Sequence, residues 1–262
     1  MANYKDLEDG LAKGVYDGKY DPYHLPNQVY FFNARKLVRG LYKGFGKNLH
    51  KIKYNDPDYK LLESLRENLY MFSGAKTFQQ TMQMSEALTE GDKVLPFNEF
   101  KDRVSQINEL FNETYLATEY NTAIASAQNA SSWQRFEREK KILPLLRYST
   151  VEKACEICTP LDGLTLPVGD PKWDTVAPEN HFNCRCLLEQ YEEGEIEPTD
   201  SELADEIFKE STGNMDDMFK NNSGKSGEVF NKEHGYFSIP RQYKEFAKDN
   251  FGLPIPELNG DN

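Results

Sequence analysis

The residues able to do chemistry crowd into one short stretch, residues 155–186, which holds all four cysteines of the chain. The order is Cys155-x2-Cys158, a loop of 22 residues, then His181-x2-Cys184-x-Cys186. Two close-spaced ligand pairs separated by a loop suit a tetrahedral zinc site: each pair supplies two neighbouring vertices and the loop lets the pairs meet. In an ideal strand Cys184 and Cys186 would share a face but stand about 6.6 Å apart along it. Sulfurs bound at about 2.3 Å to one zinc must lie under about 4 Å from each other. Either that segment is a turn or His181 replaces one of its cysteines, so the ligand set is four of Cys155, Cys158, His181, Cys184 and Cys186.

Other uses of four thiols fit less well. Disulfides need an oxidising compartment, and the opening MANYKDLEDG lacks the basic and then apolar regions of a signal peptide, so a cytoplasm is expected. A redox Cys-x-x-Cys belongs in a βαβ setting, and none surrounds Cys155 and Cys158. A zinc deaminase would show His-x-Glu ahead of Pro-Cys-x-x-Cys, and a zinc protease His-Glu-x-x-His on a helix; both are missing. The expectation is a closed, structural Zn2+ site with no catalytic residues, since no nucleophile, base and orienter converge in the pattern. An open site would make a zinc-dependent nuclease, with His181 acting on a water and Asp162 or Glu179 assisting. A loop-rich module of about 40 residues buries too little apolar area to fold alone, and metal binding supplies the missing free energy. Asp162-Gly163 then forms the turn after the first pair, Trp173 a lid, and Arg185 an offset to the thiolate charge.

The elements that must position these groups are mostly helical. Hydrophobic residues make up 38% of 262, below the globular average, which predicts one modest core with polar extensions. No apolar run approaches the roughly 18 residues that cross a bilayer. Residues 1–26, with three glycines and two prolines, read as an extended arm. From Val29 onward Val38, Leu41, Tyr42, Phe45, Leu49 and Ile52 keep a helical rhythm, weakened by Gly40, Gly44 and Gly46. Two helices follow at 57–72 and 75–89, broken at Ser73-Gly74. Between Pro96 and Pro144 there is neither glycine nor proline, which predicts long helices with a bend near Asn121 to Asn129 and an αα-hairpin or bundle. LLRYSTV reads as a strand entering the cysteine module and CRCLLEQY as its return.

Charge divides along the chain. Residues 1–150 carry a net +2 and residues 151–262 a net −14, adding to −12. Residues 191–217 hold eleven acids and one lysine, the composition of a solvated, partly disordered linker. Arg35, Arg39, Lys43, Lys47 and Lys51 follow a step of four and wind a basic ribbon around a helix. That ribbon is the wet face of an amphipathic helix, or a contact for nucleic acid such as packaged DNA or for an acidic protein surface.

The signature Cys-x2-Cys followed by Leu161-Asp162-Gly163, then Pro178 and His181-x-Asn183-Cys184-Arg185-Cys186, resembles that of the phage Mu F-like minor head proteins, the phage head morphogenesis family. Thr118-Glu119, Asn121, Ala123, Ala127 and Trp133 resemble the family's helical approach to it, so the likeness covers about residues 110–190. Ala117 stands where many relatives carry arginine, and Phe182 where relatives often have proline. The resemblance implies a structural minor head protein of a tailed phage. It implies association with the portal protein and major capsid protein, a role in head assembly and DNA packaging or delivery, and a place in the virion after assembly in the host cytoplasm. The fold class expected is α+β, predominantly α. An extended arm (1–26), a helical bundle or hairpin (27–143), a zinc-stapled β/loop module (144–190), an acidic linker (191–225) and a docking tail (226–262) follow in order.

Overall fold

The computed structural model describes residues 4–151 and 155–257; the ends of the expected arm and tail, residues 1–3 and 258–262, lie outside the described residues. The helices are α1 (Tyr4–Tyr16), α2 (Asn27–Phe45), α3 (Pro57–Glu86), α4 (Phe97–Glu109) and α5 (Leu116–Glu139), with a small ribbon of β1 (Thr89–Glu90) and β2 (Lys93–Val94) before α4. Then come β3 (Leu145–Ser149), β4 (Thr165–Pro167), the single turn α6 (Trp173–Val176), β5 (Leu187–Tyr191) and α7 (Ser201–Asn214). The class is α+β and predominantly α. Among the described residues no helix is long and apolar enough to cross a membrane. The chain forms two compact units, one of Met1–Val38, Leu69–Tyr120 and Gly235–Asn262, the other of Arg39–Asn68 and Asn121–His234.

In the first unit the expected extended arm is a helix over Tyr4–Tyr16. Leu11, Ala12 and Val15 bury one stripe of α1 against Val29, Phe100 and Val104, and that burial outweighs the weak propensity of its glycines. Gly14 is a contact residue: a Cβ there would stand 2.2 Å from the Tyr20 ring. The expected break at Ser73-Gly74 is absent, and α3 runs through it. The Ser73 hydroxyl donates back to the Leu69 carbonyl at 2.7 Å, and Gly74 leaves room for Asn250, whose Oδ1 would lie 2.2 Å from a Cβ. The departure from α geometry in the long helical stretch is a π turn at Leu110–Tyr115. The expected bend near Asn121 to Asn129 falls on regular α5, because nothing there breaks the ladder and Ala123 and Ala127 pack closely.

Burial also organises the tail. Residues 235–257 dock on the first unit: Gln79 donates to the carbonyls of Tyr236 and Ser238 at 3.1 Å each, and Phe251 stacks on Phe78 at 4.9 Å. Beneath them Lys76 is ion-paired with Glu119, and the Tyr236 hydroxyl donates to the other Glu119 oxygen at 3.1 Å. Burial pushes Glu119 up and Lys76 down, and each is opposed by its partner. Lys76 also supplies a cation beside the Thr118-Glu119 pair that Ala117 does not.

The second unit holds a three-stranded antiparallel sheet in the order β4-β3-β5. Its core gathers Trp133, Phe136, Leu146, Tyr148, Trp173 and the buried cysteines. The acidic stretch expected to be a linker contains α7, capped by Asp200, whose carboxylate accepts from the Glu202 amide at 2.9 Å. Ala204, Ile207 and Phe208 turn an apolar stripe of α7 to the core, and Ser211 donates to the Ile157 carbonyl at 2.9 Å. The acids stay on the wet side, so composition alone misread the segment. Gly44, counted as a helix weakener, is a crossing point: a Cβ would meet the Ile124 carbonyl at 2.0 Å and Ala127 at 2.9 Å.

Two outcomes are expected. Alanine in a helix ordinarily gains about 1 kcal/mol over glycine, but Gly44→Ala destabilises the second unit by about 1–3 kcal/mol, read as a lower denaturation midpoint. Lys76→Met costs about 3–5 kcal/mol by stranding a buried carboxylate; adding Glu119→Leu and Tyr236→Phe recovers most of it, checked by denaturant unfolding of the series.

Candidate metal centre

Strand register sets the site. β3 and β5 pair antiparallel with Ser149 opposite Leu187, so the chain leaving β3 toward Cys155 and the chain entering β5 from Cys186 share one end of the sheet. At that end the first pair lies on a tight turn, where the Cys158 and Thr159 amides donate to the Cys155 carbonyl at 3.1 and 2.9 Å. The second lies on another turn, with the Cys184 amide on the His181 carbonyl at 3.2 Å and Asn183 in the left-handed region at φ 59°. Cys184 and Cys186 precede β5 rather than lying in it. A turn at Phe182 and Asn183 precedes them, and both sulfurs fall into one group with that of Cys158.

The donor atoms of Cys158, Cys184 and Cys186 all lie within 4.8 Å of one another, as do those of Cys155, Cys158 and His181. Cys158 belongs to both groups. Its sulfur is 3.9 Å from that of Cys184, near the edge of about 3.8 Å that a tetrahedron with about 2.3 Å metal–sulfur bonds requires. A disulfide would need about 2.05 Å, and all four cysteines are free thiols. Cys158, Cys184 and Cys186 are buried, and Cys155 is half-buried. His181 directs Nδ1 to the Phe182 carbonyl at 2.9 Å, leaving Nε2 as the nitrogen available for a metal.

Hydrogen bonds with Cys184 and Cys186, reinforced by burial, push the Cys158 thiol up. The same bonds from Cys158 and Cys184 pull Cys186 down to about 3. Cys158 and Cys186 thus hold their protons unequally within one apolar core, and a divalent ion would replace those protons. The donor set fits zinc: soft sulfur, one imidazole, tetrahedral spacing.

A second layer that the spacing of cysteines did not reveal orients the sulfurs. The Tyr148 hydroxyl donates to the Cys158 sulfur at 3.4 Å, and Asn180 donates to that hydroxyl at 3.0 Å and to the Val176 carbonyl at 3.1 Å. Burial and the neighbouring cysteines push the Tyr148 phenol far up. Its only sequence signal is alternation, which sets Tyr148 on the same face of β3 as Leu146.

The remaining predicted residues fall in different places. Asp162-Gly163 forms the expected turn, Gly163 at φ 80°, and Asp162 accepts from the amide and hydroxyl of Thr150 at 2.9 and 2.8 Å, which hold its carboxyl low. Trp173 is no lid: it is fully buried in the core, its indole donating to the Pro167 carbonyl at 3.0 Å. Arg185 is exposed. Glu179 is buried, and among the described residues neither of its oxygens has a hydrogen-bond partner; burial, aided by Cys184, pushes it well up. It lines a cavity of about 10 Å3, the room of one water, shared with Thr122, Ser126, Ser223 and His234.

A clip of buried sulfurs built from two turns at one end of a small sheet, with long helices leading into it, defines a cysteine-rich module whose side chains could hold a metal ion. Residues 79–189 match the family model described as phage Mu protein F like protein; over that region, less than half of the chain, the sequence is similar to phage Mu protein F, which is consistent with a head morphogenesis protein. No curated protein and no solved structure matches the chain.

Tyr148→Phe, which keeps the ring and removes the donor to Cys158, is expected to weaken metal binding about 10- to 100-fold in competition with a chromophoric chelator while leaving the fold intact.

Proposed function

We propose that the protein is a structural minor head protein of a tailed phage, with one Zn2+ held by four of Cys155, Cys158, His181, Cys184 and Cys186, and Cys158 in every set. Zinc supplies cross-linking and charge neutralisation. The chain's own residues do the rest: the two turns present the sulfurs, Tyr148 and Asn180 orient Cys158, and α7 closes over the Cys loop through Ser211. The observation that carries the reading is the buried sulfur cluster within a region matching phage Mu protein F. On this reading the protein works at the portal vertex or head interior, contacts the portal and major capsid proteins, and meets packaged DNA.

Two features favour a closed site over a zinc-dependent nuclease. The cavity beside Glu179 accommodates a water and not a nucleotide, and Asp162 is committed to Thr150.

Purified protein is expected to hold one zinc per chain, to release it with loss of the second unit's unfolding transition on chelation, and to lose both in Cys158→Ser. His181→Ala separates a structural from a catalytic metal: impaired metal retention or assembly supports the proposal, whereas an intact fold with loss only of DNA cleavage overturns it. In fractionated virions the chain should appear with heads or portals, and its absence from both would remove the head assignment.

A further inference from the structure

In the second unit Lys47 and Arg138 close on opposite oxygens of Asp58, each at 3.0 Å. The Asp58 side chain is 7% exposed, while those of Lys47 and Arg138 are 52% and 55% exposed. One sunken acid therefore serves two surface cations and leaves a positive charge above it. Burial pushes the Asp58 carboxyl up, but Lys47 and Arg138 together outweigh this and hold it below the usual range.

This bridge joins two basic stretches that lie far apart in sequence. Residues 39–60 contain six cations and two acids, and residues 135–141 four cations and two acids. Arg39, Lys43, Lys51 and Lys53 on one side, and Lys140 and Lys141 on the other, are all exposed. Of the four acids, Asp58 is spent on the bridge, Asp56 accepts from the Asp58 amide at 2.9 Å, Glu137 is paired with Lys140, and Glu139 is half-buried. Arg35, the first member of the ribbon expected from the sequence, falls in the other unit, with its guanidinium over the Phe31 ring at 5.5 Å.

A protein-binding face has a core depleted in lysine and rich in aromatic anchors. Here lysine dominates and Tyr54, 76% exposed, is the large aromatic among the cations. Dispersed, flexible cations without an apolar centre suit phosphates read without regard to base sequence. The acidic residues 191–217 of the same unit repel a polyanion, so any contact rests on the basic stretches.

We infer that residues 39–60 and 135–141, brought together over Asp58, form one contact for the phosphate backbone of duplex DNA, independent of base sequence. The choice of DNA as the polyanion rests on the head-protein reading.

The test is binding of the full chain to a short mixed-sequence duplex, by fluorescence anisotropy, between about 50 and 200 mM salt. Affinity should fall with salt. Lys51→Gln/Lys53→Gln and Lys140→Gln/Lys141→Gln should each flatten the log–log slope by about 0.9 for every phosphate no longer neutralised, and combining them should add. Asp58→Asn, which frees two cations, should tighten binding; because its burial could disturb folding, the surface pairs decide the matter, with unfolding midpoints checked alongside. A slope that is flat in the native chain, one that responds to only one of the two stretches, or equal binding to polyglutamate overturns the inference. A protein found in virion heads with a flat slope does not bind duplex here and keeps the head assignment; one that binds duplex but is missing from virions does the reverse.

Discussion

Three buried sulfur atoms, brought within 4.8 Å of one another where β3 pairs with β5, are the constraint around which the second unit's small sheet and its loops are arranged. Thiols so close in an apolar core cannot all behave alike, and Cys158 is pushed up while Cys186 is pulled down. A small sheet with one five-residue central strand offers little to hold loops of the length between Cys158 and Cys184. Leu161, Leu164 and Trp173 belong to the same buried core as the sulfurs, so the loop folds into that core rather than looping away from it. A metal there would complete a core that already surrounds it.

Buried acids show how differently one chemical group can be handled. Asp58 is covered by two cations that remain half in water, so its charge is kept and returned to the surface with opposite sign. Glu119 is sealed with Lys76 and capped by Tyr236, a neutralised pair that docks the tail. Glu179 receives no donor from the described residues and faces a cavity the size of a water. The first arrangement belongs to a surface that meets charge, the second to an interior that must stay closed, and the third to a polar group whose partner is solvent-sized.

The glycines carry a related lesson. Gly14, Gly44 and Gly74 each weaken a helix by propensity, yet each sits where another group comes within the reach of a Cβ. Loss of local helix stability, about 1 kcal/mol each, is offset by close approach of a tyrosine ring, a backbone carbonyl and an asparagine. A reading that counts glycines as breakers therefore divides α3 at Gly74 and leaves α1 as an arm. Composition has the same blind spot in residues 191–217, where eleven acids hide the apolar stripe of Ala204, Ile207 and Phe208.

From sequence alone the donor residues of the centre, the strands that flank it, the predominance of helix and the likeness to phage Mu F could all be read, because ligand spacing, alternation and periodicity are local patterns. The tertiary structure decided what depends on distant partners: that Cys184 and Cys186 both turn inward, that Tyr148 and Asn180 support Cys158, that the tail docks on the first unit, and that two basic stretches meet over Asp58. Those outcomes follow from burial and from which charges end up adjacent, and neither is encoded within reach of a single helical turn.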